Sequence, residues 1–339
     1  MTVRNRGGAV PATSRRLMIS TIAVAAAALT AIAGCSSSPR PAVSAPTEPV
    51  STPSASKGVQ GLHLPIETYM LTPAQSIDFE WVSEAAIGAC MRRFGQDYPV
   101  PPKPGDASPS QAKYSVLDRR YGVSDLESVR IWGYHPPASD DGVTPPDGKS
   151  ITIGQLPEDA RTVLLGANPR TGQRVTSFAG KPLPEHGCLA EPDRLVPGAS
   201  GGPIGPGGGG EGVVTLIKAK SFSDSQADPR VVSAIGAWST CMKIRGYDTP
   251  DPLRASEHLA SIGKNVPDAA EISQAVADVE CKRNTNLIGV WFSAESDLQN
   301  AAINQNAAAL TEVKTALQQE ISTIERLSRQ DWSAALQSG

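Results

Sequence analysis

Aromatic side chains are scarce in this chain, at 5% of its 339 residues, which limits it to one or two modest cores. Histidine is scarcer still. His63, His135, His186 and His258 stand far apart, with no H-E-x-x-H and no i, i+4 pair, so no metal-ligand set is visible. No two cysteines come at the close C-x₂₋₄-C spacing of a zinc site. The charge balance is a mild −3 without a basic stripe, which argues against nucleic acid as a partner. A strongly apolar run of about 20 residues, as a permanent spanning helix wants, is also missing. Proline stops at Pro267, and after it the only glycine before the last residue is Gly289.

The first 34 residues do have a pattern. Arg4, Arg6, Arg15 and Arg16 occur with no acid, followed by an apolar run over 17–33 and then Gly34-Cys35. A basic n-region, an apolar h-region and small residues at a cleavage point make a secretory signal. Ile32-Ala33-Gly34-Cys35 resembles the lipobox of bacterial lipoproteins. The resemblance implies diacylglyceryl attachment to the Cys35 thiol, cleavage before it, and an acyl (palmitate-type) anchor on the outer face of the cell membrane. Ser14-Arg15-Arg16-Leu17 loosely resembles a twin-arginine signal but lacks the following aromatic, so the export route stays open. Removing four arginines and no acid takes the mature chain from −3 to −7.

Residues 36–60 are rich in Ser, Pro and Thr with no apolar periodicity and read as a disordered tether, 35–60 with the lipidated cysteine. Residues 197–212, nine of them glycine, read as a linker. It divides the mature chain into a loop-rich half, 61–196, and a second half, 213–339. The halves share a motif. Cys90-Met91-Arg92-Arg93-Phe94-Gly95-Gln96-Asp97-Tyr98-Pro99 aligns without gaps to Cys241-Met242-Lys243-Ile244-Arg245-Gly246-Tyr247-Asp248-Thr249-Pro250, with five of ten positions identical. Each copy closes an expected helix, one beginning at Thr72-Pro73 and the other at Asp228-Pro229. A capping residue before a first-turn proline and a glycine past the end mark both.

Besides Cys35 there are four cysteines, and an even count in an exported chain points to two disulfides. Three pairings are open. An internal duplication with one bridge per half favours Cys90–Cys188 and Cys241–Cys281, the second clamping two antiparallel helices. The C-terminal third is the strongest helical signal: Ile303, Leu310, Leu317 and Ile324 recur at heptad spacing, with Asn306 and Glu320 interrupting the stripe. A long helix is expected over 268–330, broken near Gly289. Its stripe packs back on its own domain or, over 296–330, forms a coiled-coil-like face for an envelope protein partner. Between Pro99 and Pro157 the chain reads as loop with a strand or two around Val129-Arg130-Ile131-Trp132-Gly133-Tyr134-His135. The fold expected is therefore mainly α: two related disulfide-clamped helical halves with a long C-terminal helix.

Catalytic motifs dissolve on inspection. Gly198-Ala199-Ser200-Gly201-Gly202 fits G-x-S-x-G, and Gly205-Pro206-Gly207-Gly208-Gly209-Gly210 fits G-x-G-x-x-G, but both lie in the linker without a strand before them. Gly148-Lys149-Ser150 lacks the upstream glycine of a phosphate loop. Acid pairs such as Glu84 with Asp97, or Asp140 with Asp141, are what any acidic surface offers. A small-molecule or sugar site, if present, is expected near Tyr121, Trp132, Tyr134 and His135. No cofactor or metal is called for.

The lipobox, the Ser/Pro tether, the Cys-Met-x-x-x-Gly copies, Arg120-Tyr121-Gly122, Gly133-Tyr134-His135-Pro136, Asp228-Pro229-Arg230-Val231, Trp238-Ser239 before Cys241-Met242, and Glu280-Cys281-Lys282 together look like a group of actinobacterial cell-surface lipoproteins of unknown function. The resemblance spans most of the mature chain on short motifs. It implies an extracytoplasmic anchor and no particular activity. Three readings follow: a non-enzymatic envelope adaptor using the 296–330 helix, a ligand-binding lipoprotein with a pocket in the first half, and a hydrolase whose site the sequence does not reveal.

Overall fold

The computed structural model describes residues 51–103, 115–137, 153–196, 212–264 and 266–333. Helix α1 (Pro73–Arg93) starts where Gln75 N–H donates to the Thr72 hydroxyl while the Gln75 side-chain Oε1 accepts from Thr72 N–H, a reciprocal cap with Pro73 in the first turn. Past Arg93, Gly95 takes φ +69° and Gln96 N–H returns to the Met91 carbonyl. The buried face of α1 carries Phe79, Val82, Ala86, Cys90 and Met91.

Next comes α2 (Leu126–Trp132), in the stretch where the sequence suggests loop or strand. The Asp125 carboxylate caps it by accepting from Glu127 N–H at 3.0 Å, and Val129 is its buried contact. The apolar and aromatic run is thus a short helix with Ile131 63% exposed on its outer side. Helix α3 (Glu158–Leu165) and the two-residue antiparallel pair β1 (Ser177–Phe178) and β2 (Lys181–Pro182) precede a 3-10 turn at Cys188–Ala190 and α4 (Glu191–Leu195).

The described residues of the second half carry five helices: α5 (Val213–Ser225), α6 (Pro229–Ile244), α7 (Ala269–Asn284), α8 (Leu287–Gln305) and α9 (Ala307–Ser328). Helix α6 repeats the plan of α1. Asp228 accepts from Arg230 N–H, Pro229 opens the first turn, Gly246 takes φ +91°, and Tyr247 N–H returns to the Met242 carbonyl. The repeated motif is therefore the same helix end built twice.

Both disulfides of the duplication pairing are present, Cys90–Cys188 and Cys241–Cys281, with Cα atoms 5.5 and 5.7 Å apart. One expectation about the second needs correcting. Trp238 Nε1 donates to Asp278 and Cys241 bonds Cys281, and both contacts keep an offset of 40 residues. Helices α6 and α7 therefore run side by side in the same direction, and residues 245–268 carry the chain back between them.

The long C-terminal helix is three. Its first break is at Asn286, in the left-handed region at φ 51° and ψ 31°, three residues before Gly289. Gly289 is needed for close approach instead, since a Cβ there would stand 2.1 Å from the Pro53 carbonyl oxygen. Asn286 fixes the same segment, accepting from Ala55 N–H at 2.9 Å and donating to the Pro53 carbonyl at 3.0 Å. Ala55 is buried, so residues 53–58, which composition assigns to the tether, are packed onto the fold. The second break is at Asn306, whose side chain donates to the Ala302 carbonyl.

Leu310, Val313, Leu317, Ile324 and Leu327 form the buried stripe of α9, which lies against α1. Similarly α2 lies against α7, and α8 against α5 and α6. One principal core thus takes residues from both halves, with Trp238, Trp291 and Tyr121 among its fully buried side chains. A smaller cluster surrounds Cys90–Cys188, formed with Ile87, Met91, Leu156, Val163 and Leu164. The described residues all lie in a compact unit, Ala45–Gly339. None of their helices is long and apolar enough to cross a membrane. The signal segment, Cys35 and the linker at 197–211 lie outside the described residues, as do the linker motifs and Gly148-Lys149-Ser150.

Candidate functional site

The four residues expected to line a ligand site do not share an open face. Tyr121 is fully buried: its hydroxyl donates to Glu295 Oε2 at 2.9 Å, and its ring lies 5.2 Å from that of Trp291. Glu295 is itself fully buried and also receives Arg120 Nε at 2.9 and 3.0 Å, Gln299 Nε2 at 3.0 Å and Ser221 Oγ at 3.2 Å. Each carboxylate oxygen is satisfied, as burial of a charge demands. This network ties the first half to α5 and α8 and is structural.

Tyr134 is buried beside a second charged pair. Lys282 Nζ lies 3.1 Å from Asp278 Oδ1 and donates to the Val123 carbonyl at 3.0 Å, with both side chains inaccessible to solvent. Burial pushes the Asp278 carboxyl up and the Lys282 amine down, each opposed by its partner. Burial likewise raises the Tyr134 phenol.

Trp132 and His135 keep some exposure. The His135 ring has an acceptor at each nitrogen, the Lys264 carbonyl at Nε2 (2.9 Å) and Glu271 Oε1 at Nδ1 (2.8 Å). Both favour the imidazolium, and they raise its pKa, the carbonyl most. Burial works to raise the Glu271 carboxyl, but hydrogen bonds from Ser261, the Tyr134 N–H and His135 bring it below its ordinary value. These residues fasten the turn after α2 to α7, and the four candidates form the joint between the halves. Nor does Glu84 pair with Asp97. It accepts from Tyr98 Oη at 2.8 Å, and burial raises its pKa.

An open space among the described residues lies elsewhere, where the C-terminal end of α1 meets α4 and the end of α9. A cavity of about 540 Å³ opens there, within the range of small-molecule sites. Helix α1 supplies Ala86, Ala89, Arg92 and Arg93, and Cys90 contributes from its disulfide. Lys181 comes from β2 and Glu191 and Leu195 from α4, while Leu327, Gln330 and Trp332 close the far side. Trp332 is 8% exposed and donates Nε1 to the Leu327 carbonyl, which holds its ring in place at the wall.

The lining carries three cations and one carboxylate. Glu191 Oε1 is shared by Arg93 at 2.7 Å and Arg194 at 3.2 Å. Lys181 Nζ donates to the Arg93 carbonyl at 2.6 Å, a cation at a helix C-terminus. Arg92 differs: its Nε is buried and has no hydrogen-bond partner among the described residues. A buried donor left unsatisfied costs about 1–3 kcal/mol, more when it belongs to a charged group. Its cations give the lining groups that can bind an anion. Its cysteine is in a disulfide, and its carboxylate is held by two arginines.

Sequence reasoning missed this site because its parts come from positions 86 to 332. The one available signal was Arg92-Arg93 in the repeated motif, where the other copy has Lys243-Ile244. Family models, curated proteins and solved structures offer no match to this chain.

Proposed function

We propose that this protein is a lipid-anchored extracytoplasmic protein, held through Cys35 on the outer face of the cell membrane, which binds a small molecule without transforming it. The signal segment and the lipobox-like Ile32-Ala33-Gly34-Cys35 support the anchor, and two disulfides are in keeping with an oxidising compartment. The observation that carries the binding role is the cavity beside Cys90–Cys188, with three cations in its lining and Trp332 in its wall. An adaptor role for the 296–330 helix recedes, since the apolar stripe of α9 is buried against α1 and its outer face is polar.

Two measurements test this reading. Metabolic labelling with palmitate is expected to mark the wild-type chain and not the Cys35→Ser variant; equal labelling of both removes the anchor. Native mass spectrometry of the full mature protein is expected to find a small molecule that the double variant Arg92→Gln/Lys181→Glu has lost. A folded wild type that carries none, and gains no thermal stability across a panel of small metabolites, removes the binding role.

A further inference from the structure

The cavity does more than mark a place; its lining sorts ligands by chemistry. The lining includes Arg92, Arg93 and Lys181, with Glu191 as the single opposing charge. Glu191 is neutralised by Arg93 and Arg194, and Lys181 is engaged with the end of α1. Arg92 is a cation of the lining with no carboxylate partner among the described residues. A planar guanidinium is matched by an oxyanion, and charge-assisted hydrogen bonds of that kind are roughly twice as strong as neutral ones. The same lining includes the methyl groups of Ala86 and Ala89, Leu195, Leu327 and the ring of Trp332. Such a surface gains by covering an apolar body and offers a sugar few partners.

Resting on the binding role above, we infer that the ligand is an anionic amphiphile: a carboxylate or phosphate head on Arg92, with an aliphatic or aromatic body against Trp332 and Leu327. The same chemistry is found in free organic acids and in the headgroup region of an anionic membrane lipid.

The test titrates octyl phosphate and octanoate into the full mature protein held in phosphatidylcholine nanodiscs. Octanol and octylamine serve as matched neutral and cationic probes, and the emission of Trp332 is followed against a Trp332→Phe blank. The anions are expected to saturate and to bind about tenfold or more tighter than octanol. Arg92→Gln should weaken the anions by a similar factor while leaving octanol unchanged, with circular dichroism confirming the fold. Lys181→Glu, at an exposed position, should act in the same direction. If phosphatidylglycerol in the nanodisc competes with octyl phosphate, the source is the membrane lipid; if it does not, the source is a free acid. Octanol or octylamine binding as tightly as the anions overturns the ligand class and leaves the cavity a binding site. Saturation by none of the four overturns the inference, and failure of the binding role is read separately from the absence of a retained small molecule.

Discussion

The two copies of the Cys-Met-x-x-x-Gly helix end make the same local structure in different surroundings. In the second copy the partner cysteine sits on a whole helix, α7, and the space is filled by Trp238 over the Asp278–Lys282 pair. In the first, the partner sits on a three-residue turn, Cys188–Ala190, reached through left-handed backbone at His186 and Gly187. Beside the first bridge, the end of α1, α4 and the end of α9 leave the cavity between them. A repeated motif therefore specifies a helix end and the position of a bridge; what stands beside it depends on the elements packed around that end.

That contrast breaks most sharply at the bridges. Each disulfide is expected to stabilise by roughly 4–5 kcal/mol on the loop-entropy model, the longer 98-residue loop slightly more than the 40-residue one. The consequences should differ in extent. Cys241→Ala/Cys281→Ala is expected to lower the whole urea transition. Cys90→Ala/Cys188→Ala should first release amide protection over 153–196, because the small cluster there is apart from the principal core. Hydrogen exchange that shows the same global loss for both would abolish the distinction.

The filled site is tested next. Asp278→Ala leaves the Lys282 amine buried and uncompensated, and the expected cost is about 3–5 kcal/mol in denaturant unfolding. Replacing both, as Asp278→Leu/Lys282→Met, should recover most of that loss. A smaller effect is expected at Glu320, a buried residue of the α9 stripe whose Oε1 has no partner among the described residues. Burial raises its carboxyl pKa. An acid with a raised folded pKa stabilises when protonated and loses that contribution as pH rises through the folded value. Glu320→Gln should therefore raise the melting temperature at pH 8 and leave it unchanged near pH 4. A variant no more stable at pH 8 would mean that the carboxylate is accommodated. Smallest is the effect of His135, whose pKa is raised in the folded state. Its contribution is complete below about 6.5, the value for an unfolded histidine, and fades as pH rises through the folded value. The stability gap between wild type and His135→Gln should be widest near pH 5 and narrow by pH 8; a gap constant across that range would contradict the assignment.

Sequence and structure agree where chemistry is local. Thr72-Pro73 and Asp228-Pro229 start helices, Gly95 and Gly246 end them, and the heptad stripe is the buried face of α9. They part where the deciding partner is remote. The break expected near Gly289 is found at Asn286, but nothing near it in sequence reveals that its side chain binds Pro53 and Ala55. The run from Val129 to His135 looks like strand because its residues are apolar and aromatic, but the Asp125 cap and burial of Val129 make most of it helix. Tyr121 and Tyr134 look available for ligands until Glu295 and Asp278, from α8 and α7, enclose them. Of the candidate cavity, only the arginines of the repeated motif were on view.

The grip of Asn286 on residues 53–55 has a mechanical side. A pull on the chain ahead of Pro53 arrives first at the joint between α7 and α8, where two hydrogen bonds and the close seat against Gly289 must shear together before any load reaches the start of α1. The segment behaves like a cable led through a clamp: tension is delivered to the body of the molecule, and α1, with the cavity at its far end, is kept slack.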